Sequence, residues 1–308
     1  MTERLSFKTT MEFAYGVPAP IAPGIVRVVA NNPGPLTFKG TNSYLVGMTE
    51  LAVIDPGPDD EAHIAAILRA AGNRPITHIV LTHAHRDHVD GAARLKAATG
   101  ARVCAFPRSR VVEKRSIHPA QTEYVNRDLA IDVILADTEV IEGRDWALQA
   151  LHTPGHAPDH LCFALLKRDV VFSGDHVMAW NTTVVGPPEG SMSAYLRSLE
   201  RLLARTRDKI YMPGHGGRLD RPRRTVRAYL LHRRWREQSI LAVIRENGSA
   251  TIPMIVQNVY SGLAPTLVPA AALSVLGHVE HLIEQGFVSC EEDVPTFDRP
   301  LYPASARL

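Results

Sequence analysis

Only three cysteines occur in 308 residues, Cys104, Cys162 and Cys290, far apart and without CxxC spacing. That scarcity excludes a disulfide framework and a thiolate metal site built from sequence neighbours, and fits reduced thiols packed in apolar stretches. Cys162, close to His160, reads as strand core rather than ligand. No run approaches the ~18 apolar residues of a membrane span. The first sixteen residues have no apolar signal stretch and mix Glu3 and Glu12 with Arg4 and Lys8, so a secretory leader or transit peptide is not expected. Cytoplasmic location and no membrane partner follow as expectations. The formal net charge is only +2, which leans away from a polyanionic substrate. Internal repeats and low-complexity blocks are missing too, which leaves an ordinary globular chain, 45% hydrophobic and 21% charged, with material for one large core and a small appendage.

What is present is alternation. Leu51 to Ile54 reads as a strand, Asp60 to Ala71 as a helix closed by Gly72, and Ile76 to Leu81 as the next strand. A helix from about Val89 to Thr99 closed by Gly100 and a strand Arg102 to Phe106 follow, punctuated by aspartates at helix starts and glycines past helix ends. Strand and helix in turn predict an α/β fold. Residues 191–205 place Leu196, Leu199, Leu202 and Leu203 on one helical stripe, which is a core face.

After Leu81 comes Thr82-His83-Ala84-His85-Arg86-Asp87-His88. Imidazole and carboxylate are ligands for zinc and similar divalent ions. In an extended segment, residues two apart point the same way, so His83 and His85 can share one ion. Asp87 and His88 lie past the bend and suit a second. Three more apolar runs, ending at Leu151, Phe172 and Tyr211, are each followed by glycine and one further candidate: His156, Asp175 and His215. Residues just beyond strand carboxyl ends converge on one sheet edge. Seven ligands suffice for two ions about 3.5–4 Å apart that share a carboxylate and a water.

With these residues in view the chain resembles the metallo-β-lactamase superfamily, through Asp55 in AVIDPG, HAHRDH at 83–88, His156 in TPGH, Asp175 in FSGD and His215 in PGHG. The resemblance implies an αββα sandwich over about residues 1–220. It further implies one ion on His83, His85 and His156 and a second on Asp87, His88 and His215, with Asp175 bridging and Asp55 orienting the ligand loop. The bridging Asp175 points toward glyoxalase-II-like hydrolases and away from antibiotic hydrolysis. Asn32-Pro33-Gly34-Pro35, the segment Gly40 to Gly47 and the helical tail after Arg221 are similar to the lactamase-β-like-2 group. Animal members of that group are regarded as single-strand endoribonucleases, and its bacterial members are mostly unassigned hydrolases.

Residues 221–308 form the appendage, with helices from Pro222 to about Glu246, Pro253 to Tyr260 and Pro269 to Gln285, then a strand Phe287 to Cys290. That order, like the resemblance, implies a small winged-helix-like module. Eight arginines from Arg218 to Arg236 crowd its start; they form either a solvated helix face or a phosphate-contacting rim. From Glu237 onward three basic residues face eight acidic ones, a net of −5. Such a module is expected to pack on its own catalytic domain or on a second subunit in a homodimer rather than on DNA. Of the remaining histidines, His63, His232, His278 and His281 are expected on helical surfaces and His78 in a strand. His152, His160 and His176 either donate a ring N–H to a ligand or simply pack, and His118 has no assigned role.

The expected function is a hydrolase with two Zn2+, Mn2+ or Fe2+ being alternatives. Two ions lower the pKa of a shared water from 15.7 to ~7 and so supply a bridging hydroxide, while Asp87 and Asp175 hold or relay the proton. A small ester or thioester is the first substrate class and single-stranded RNA the second. An iron oxidoreductase and a regulatory protein with a relic metal site are the readings outside hydrolysis.

Overall fold

A computed structural model of the chain describes residues 5, 7–107, 124–291 and 294–304. His118 and three charged tail residues, Glu292, Asp293 and Arg307, lie outside them. Two sheets face each other. The first holds β1 (Ala19–Ala22), β2 (Ile25–Val29), β3 (Asn42–Val46), β4 (Leu51–Ile54), β5 (Ile76–Val80), β6 (Arg102–Ala105) and β7 (Val133–Ile134), in that spatial order. It is antiparallel up to β4 and parallel from β4 to β7. The second runs β12 (Ile210–Pro213), β11 (Val170–Gly174), β10 (Leu161–Leu165), β9 (Ala147–His152), β8 (Val140–Glu142). β12 and β11 are parallel, and β10 is antiparallel to both neighbours, so β9, β11 and β12 all point one way.

Alternation of side chains builds the layers. Tyr44 and Val46, Ala52 and Ile54, and Val80 from the first sheet meet Leu148, Ala150, Leu161, Phe163 and Phe172 from the second in one buried core. The residues between them face outward. Leu45, Leu51, Val53 and Ile79 meet helix α1 (Glu61–Ala71) and helix α3 (Ala92–Thr99). Leu151, Cys162, Ala164 and Val171 meet helix α4 (Met192–Ala204) and the start of helix α5 (Pro222–Asn247). The result is the expected helix, sheet, sheet, helix stack. Asp60 caps α1 by accepting from the backbone N–H of Ala62 and His63, and Gly72 ends it at φ 59°. The expected helix from Val89 is two pieces: a single turn, α2 (Arg86–Val89), then α3. Gly91 separates them: its N–H donates to the Gly57 carbonyl at 2.9 Å instead of to a helical one, and a Cβ there would sit 2.9 Å from the Pro58 carbonyl and 3.0 Å from that of Pro56.

α5 serves two cores. Its first half places Val226, Tyr229 and Leu230 against the second sheet, and its second half contributes Ile240, Val243 and Ile244 to a separate cluster. Helix α6 (Ile252–Val259), helix α7 (Val268–Glu284) and the two-stranded β13 (Val288–Cys290) and β14 (Leu301–Pro303) complete that cluster. The expected division after residue 220 therefore falls immediately before a helix shared by both bodies. The stretch Pro265–Glu284 is long and apolar enough to cross a membrane by length and composition, contrary to the expectation that no such run exists. Its apolar residues Val275, Leu276, Val279 and Leu282 are the module's own buried core.

The histidines and arginines also depart from expectation. His63 and His278 are buried, 3% and 0% exposed, rather than on helical surfaces. Arg233 and Arg236 belong to no solvated face. The Arg233 guanidinium donates to the Thr183 carbonyl and to Ser274 Oγ, and that of Arg236 donates to the Val259 carbonyl and lies 3.9 Å over the Tyr260 ring. Both pin α5 against its neighbours, while Arg218, Arg221, Arg223, Arg227 and Arg234 are exposed.

Candidate metal centre

Every expected ligand follows a strand whose carboxyl end lies at the same edge of the sandwich. His83, His85, Asp87 and His88 follow β5, His156 follows β9, Asp175 follows β11 and His215 follows β12. Two groups form. Ring nitrogens of His83 and His156 approach His85 Nδ1 to 2.9 Å and 3.1 Å. Asp87 Oδ2 lies 3.4 Å from His88 Nε2 and 3.2 Å from His215 Nε2, and those two nitrogens are 3.2 Å apart. Asp175 stands between the groups, its Oδ2 3.4 Å from His215 and 3.9 Å from His156 and its Oδ1 3.5 Å from His88. The ligand atoms of His83, His85 and His156, of Asp87, His88 and His215, and of His83, His88 and Asp175 each lie within 4.8 Å of one another.

Hydrogen bonds on the far side of each ring decide which nitrogen faces inward as a lone pair. Thr82 Oγ1 donates to Asp55 Oδ2 at 2.7 Å and so accepts from His83 Nδ1 at 2.9 Å, which leaves His83 Nε2 unprotonated. His156 Nδ1 donates to the Val184 carbonyl at 2.8 Å, and His215 Nδ1 to that of Gly40 at 3.2 Å. His88 Nδ1 donates to Asp55 Oδ2 at 2.9 Å. Four Nε2 atoms are thereby turned toward the two groups, where a cation could take them as ligands. The acceptor nitrogens of His83 and His156, which both close on His85 Nδ1 at 2.9 Å and 3.1 Å, and a buried Asp175 Oδ1 that makes no hydrogen bond, fit divalent cations and not a packed core.

Electrostatics agree. Burial alone would discharge His88, yet Asp87, Asp175 and Asp55 outweigh it and hold its pKa well above the ordinary histidine value. Burial likewise opposes the charge on His215, and Asp175 and Asp87 nonetheless raise it to about 9. Burial would raise Asp87 and Asp175, but the same two histidines keep both carboxyls below the usual range. His85 goes the other way, to about 3, through burial and then His156, and His83 is lowered too, through burial and then His88. Without a metal, the carboxylate-bearing half of the site is thus neutralised by protons on imidazoles.

The supporting residues show where sequence reasoning stopped short. Asp55 sits at φ 51°, a left-handed conformation, held by the Thr82 N–H at 2.8 Å, the Thr82 hydroxyl and His88. His160 is expected either to donate a ring N–H to a ligand or simply to pack. Instead its Nε2 accepts from the Asp175 N–H at 3.2 Å, fixing the backbone rather than the carboxylate. His176 packs: neither ring nitrogen makes a hydrogen bond and the ring lies 4.6 Å from Tyr195. His152 packs on Phe106 at 3.9 Å. The segment Gly40 to Gly47 carries no site role in the sequence pattern. Asn42 Nδ2 donates to the Pro213 and Gly216 carbonyls at 2.9 Å and 2.8 Å, Tyr44 OH to that of Pro213 at 2.7 Å, and Thr41 Oγ1 to Asp87 Oδ2 at 3.3 Å. It fastens the His215 turn across both sheets. Gly214 is required in that turn, since a Cβ there would lie 2.6 Å from both Asp175 Oδ1 and His88 Cε1.

A cavity of about 380 Å³ opens onto Asp87, Asp175, His85, His156 and His215. Its other walls include Leu36, Val125, Met178, Trp180, Val184 and Leu273. Among the described residues that line it, Arg86 is the only arginine, so the arginine run after residue 217 forms no rim to this site.

Residues 36–215 match the metallo-beta-lactamase superfamily, and residues 251–297 the beta-lactamase associated winged helix domain. A beta-lactamase-like protein 2 homolog of Drosophila melanogaster is 32% identical over 85% of this chain and 88% of its own length. An atrochrysone carboxyl ACP thioesterase of Aspergillus chevalieri is 33% identical over 82% of this chain and 78% of its own. A beta-lactamase domain protein from Burkholderia ambifaria superposes with a TM-score of 0.79 over 96% of this chain and 95% of its own, at 18% identity, which speaks for the fold alone. TTHA1623 in a di-iron-bound form gives a TM-score of 0.50 and 29% identity over 66% of this chain and 95% of its own. The chain therefore belongs to the metallo-beta-lactamase superfamily, as a metal-dependent hydrolase that carries the winged helix domain at its carboxyl end.

Proposed function

We propose that the protein hydrolyses an acyl ester or thioester with two zinc ions, the observation that carries this being the small, mostly apolar cavity that ends on the Asp87 and Asp175 carboxylates. Its volume sits at the low end of the range for small-molecule sites. One ion would rest on His83, His85 and His156 and the other on Asp87, His88 and His215, with Asp175 shared. The di-iron relative makes iron the first alternative to zinc. Metal ions held there would supply a water-derived nucleophile at neutral pH and polarise the scissile carbonyl.

The chain's own residues do the rest. Asp55 and Thr82 keep His83 and His88 in the tautomers that expose Nε2. Leu36, Met178 and Trp180 exclude bulk water from the acyl group. Asp87, steadied by the Thr41 hydroxyl, lines the cavity, where its carboxylate would take the proton given up by the attacking water and return it to the leaving thiolate or alkoxide. The thioesterase among the relatives supports this substrate class. The exposed arginines from Arg218 to Arg234 line no part of the cavity, which weighs against single-stranded RNA.

The test is turnover of zinc-, iron- and manganese-loaded protein on a thioester, a lactone, a phosphodiester and single-stranded RNA. Thioester or ester turnover near 1 s⁻¹ or faster is expected, with RNA uncut. Cleavage of RNA with inert thioesters would overturn the reading.

A further inference from the structure

Leu273 lies on α7, in the carboxyl-terminal module, 58 residues past the last candidate ligand His215, yet it lines the cavity at the metal centre. It is half-buried and is not among the residues of the module's own apolar core, to which its neighbours Ala271, Ala272 and Val275 contribute. What it meets is the segment 184–188. A Cβ on Gly186 would overlap the Leu273 carbonyl and lie 2.7 Å from its Cγ, and a Cβ on Gly277 would lie 2.6 Å from the Val185 carbonyl. Helix and segment thus touch backbone to backbone. Two further ties fix that contact relative to the metal centre. His156 Nδ1 donates to the Val184 carbonyl, and the buried Arg233 joins the Thr183 carbonyl to Ser274 beside Leu273.

We propose that this cavity binds an unbranched apolar acyl chain and that Leu273 of the appended module is the stop that sets its length. The inference rests on reading the cavity as the acyl site of the proposed hydrolase. Its chemistry follows from the walls: Leu36, Val125, Met178, Trp180, Val184 and Leu273 bring apolar surface into one cavity with the Asp87 and Asp175 carboxylates. Each methylene such walls bury contributes about 0.8 kcal/mol, or roughly fourfold in affinity. Gain should continue until the chain meets Leu273 and then cease. Leu273→Ala removes three carbons from the stop and so extends the gain by as many as about three methylenes, up to roughly sixtyfold for the longest chain. Leu273→Trp should end it earlier.

The experiment measures calorimetric binding of straight-chain carboxylates from butanoate to dodecanoate to the full-length protein, wild type and both variants, alongside hydrolysis of the matching N-acetylcysteamine thioesters. The readout is the chain length at which affinity stops rising, compared within each variant, so a change in overall activity does not enter. A limit that moves up in Leu273→Ala and down in Leu273→Trp supports the proposal, even if no thioester is hydrolysed, in which case the hydrolase reading fails alone. Thioester hydrolysis with a length limit indifferent to both substitutions overturns the proposal and leaves the hydrolase reading standing. Absence of any binding that grows with chain length overturns it as well.

Discussion

Asp55→Asn changes one atom's identity and should disable both halves of the metal centre. Asp55 Oδ2 accepts from the Thr82 hydroxyl at 2.7 Å and from His88 Nδ1 at 2.9 Å, while Oδ1 accepts from the Thr82 N–H at 2.8 Å. The carboxamide oxygen of asparagine must face the Thr82 N–H, so its amide group faces the hydroxyl and His88. Donors then replace acceptors. The Thr82 hydroxyl turns to donate to His83 Nδ1, 2.9 Å away, and His83 moves its proton to Nε2. His88 is driven the same way. Each of these two ligands loses its inward lone pair. Partners behind a ligand are each worth 10–100-fold in metal affinity, so the pair should cost on the order of 10²–10⁴-fold. Zinc competition with a chelator series measures the affinity, and nitrogen-15 spectra of the metal-free protein report the His83 tautomer. Asp55→Asn protein that binds two ions as tightly as wild type, or that keeps His83 protonated on Nδ1, would refute the reasoning.

Asp175→Ala should reduce bound metal at both groups at once, because its oxygens lie within 3.9 Å of nitrogens from each; elemental analysis that finds one group still full would contradict a shared carboxylate. Burial lowers the His63 pKa to about 4, against a smaller opposing pull from Asp60. The unfolded chain therefore binds the proton first, and stability present above pH 6.5 is lost as pH falls toward 4, by about 3 kcal/mol. In urea unfolding of metal-free protein at pH 7 and 4.5, His63→Gln should lose correspondingly less than wild type, and equal losses would exclude His63 as the source. Arg233→Ala should cost about 2 kcal/mol, since it strips charged hydrogen bonds from a site 2% exposed. The exposed Arg227→Ala should cost nothing measurable in thermal unfolding, and equal effects would restore the solvated-face reading of the whole run.

The ligands were legible because His83 to His88 crowd the end of one apolar run and His156, Asp175 and His215 each close a strand, glycine, ligand unit. Asp60 and Gly72 marked the ends of α1 for the same local reasons. What escaped was tertiary or belonged to the backbone. The carbonyls of Val184 and Gly40 that set the His156 and His215 tautomers carry no side-chain signature. His63 and Arg233 look exposed on a helical pattern until Ser43 and Thr183 are brought against them. The α2–α3 break comes from a hydrogen bond between Gly91 and the Gly57 carbonyl, more than thirty residues upstream. Leu273 as a cavity wall depends on how α7 docks, which no local pattern encodes.

α5 is 26 residues long, roughly 39 Å at 1.5 Å per residue, and it has no interior proline or glycine at which to bend. One end is embedded under the second sheet and the other forms the spine of the appended module. A continuous helix transmits torque. The module therefore cannot swing on a hinge in α5 without unwinding hydrogen-bonded turns, and the two cores should melt in one calorimetric transition rather than two.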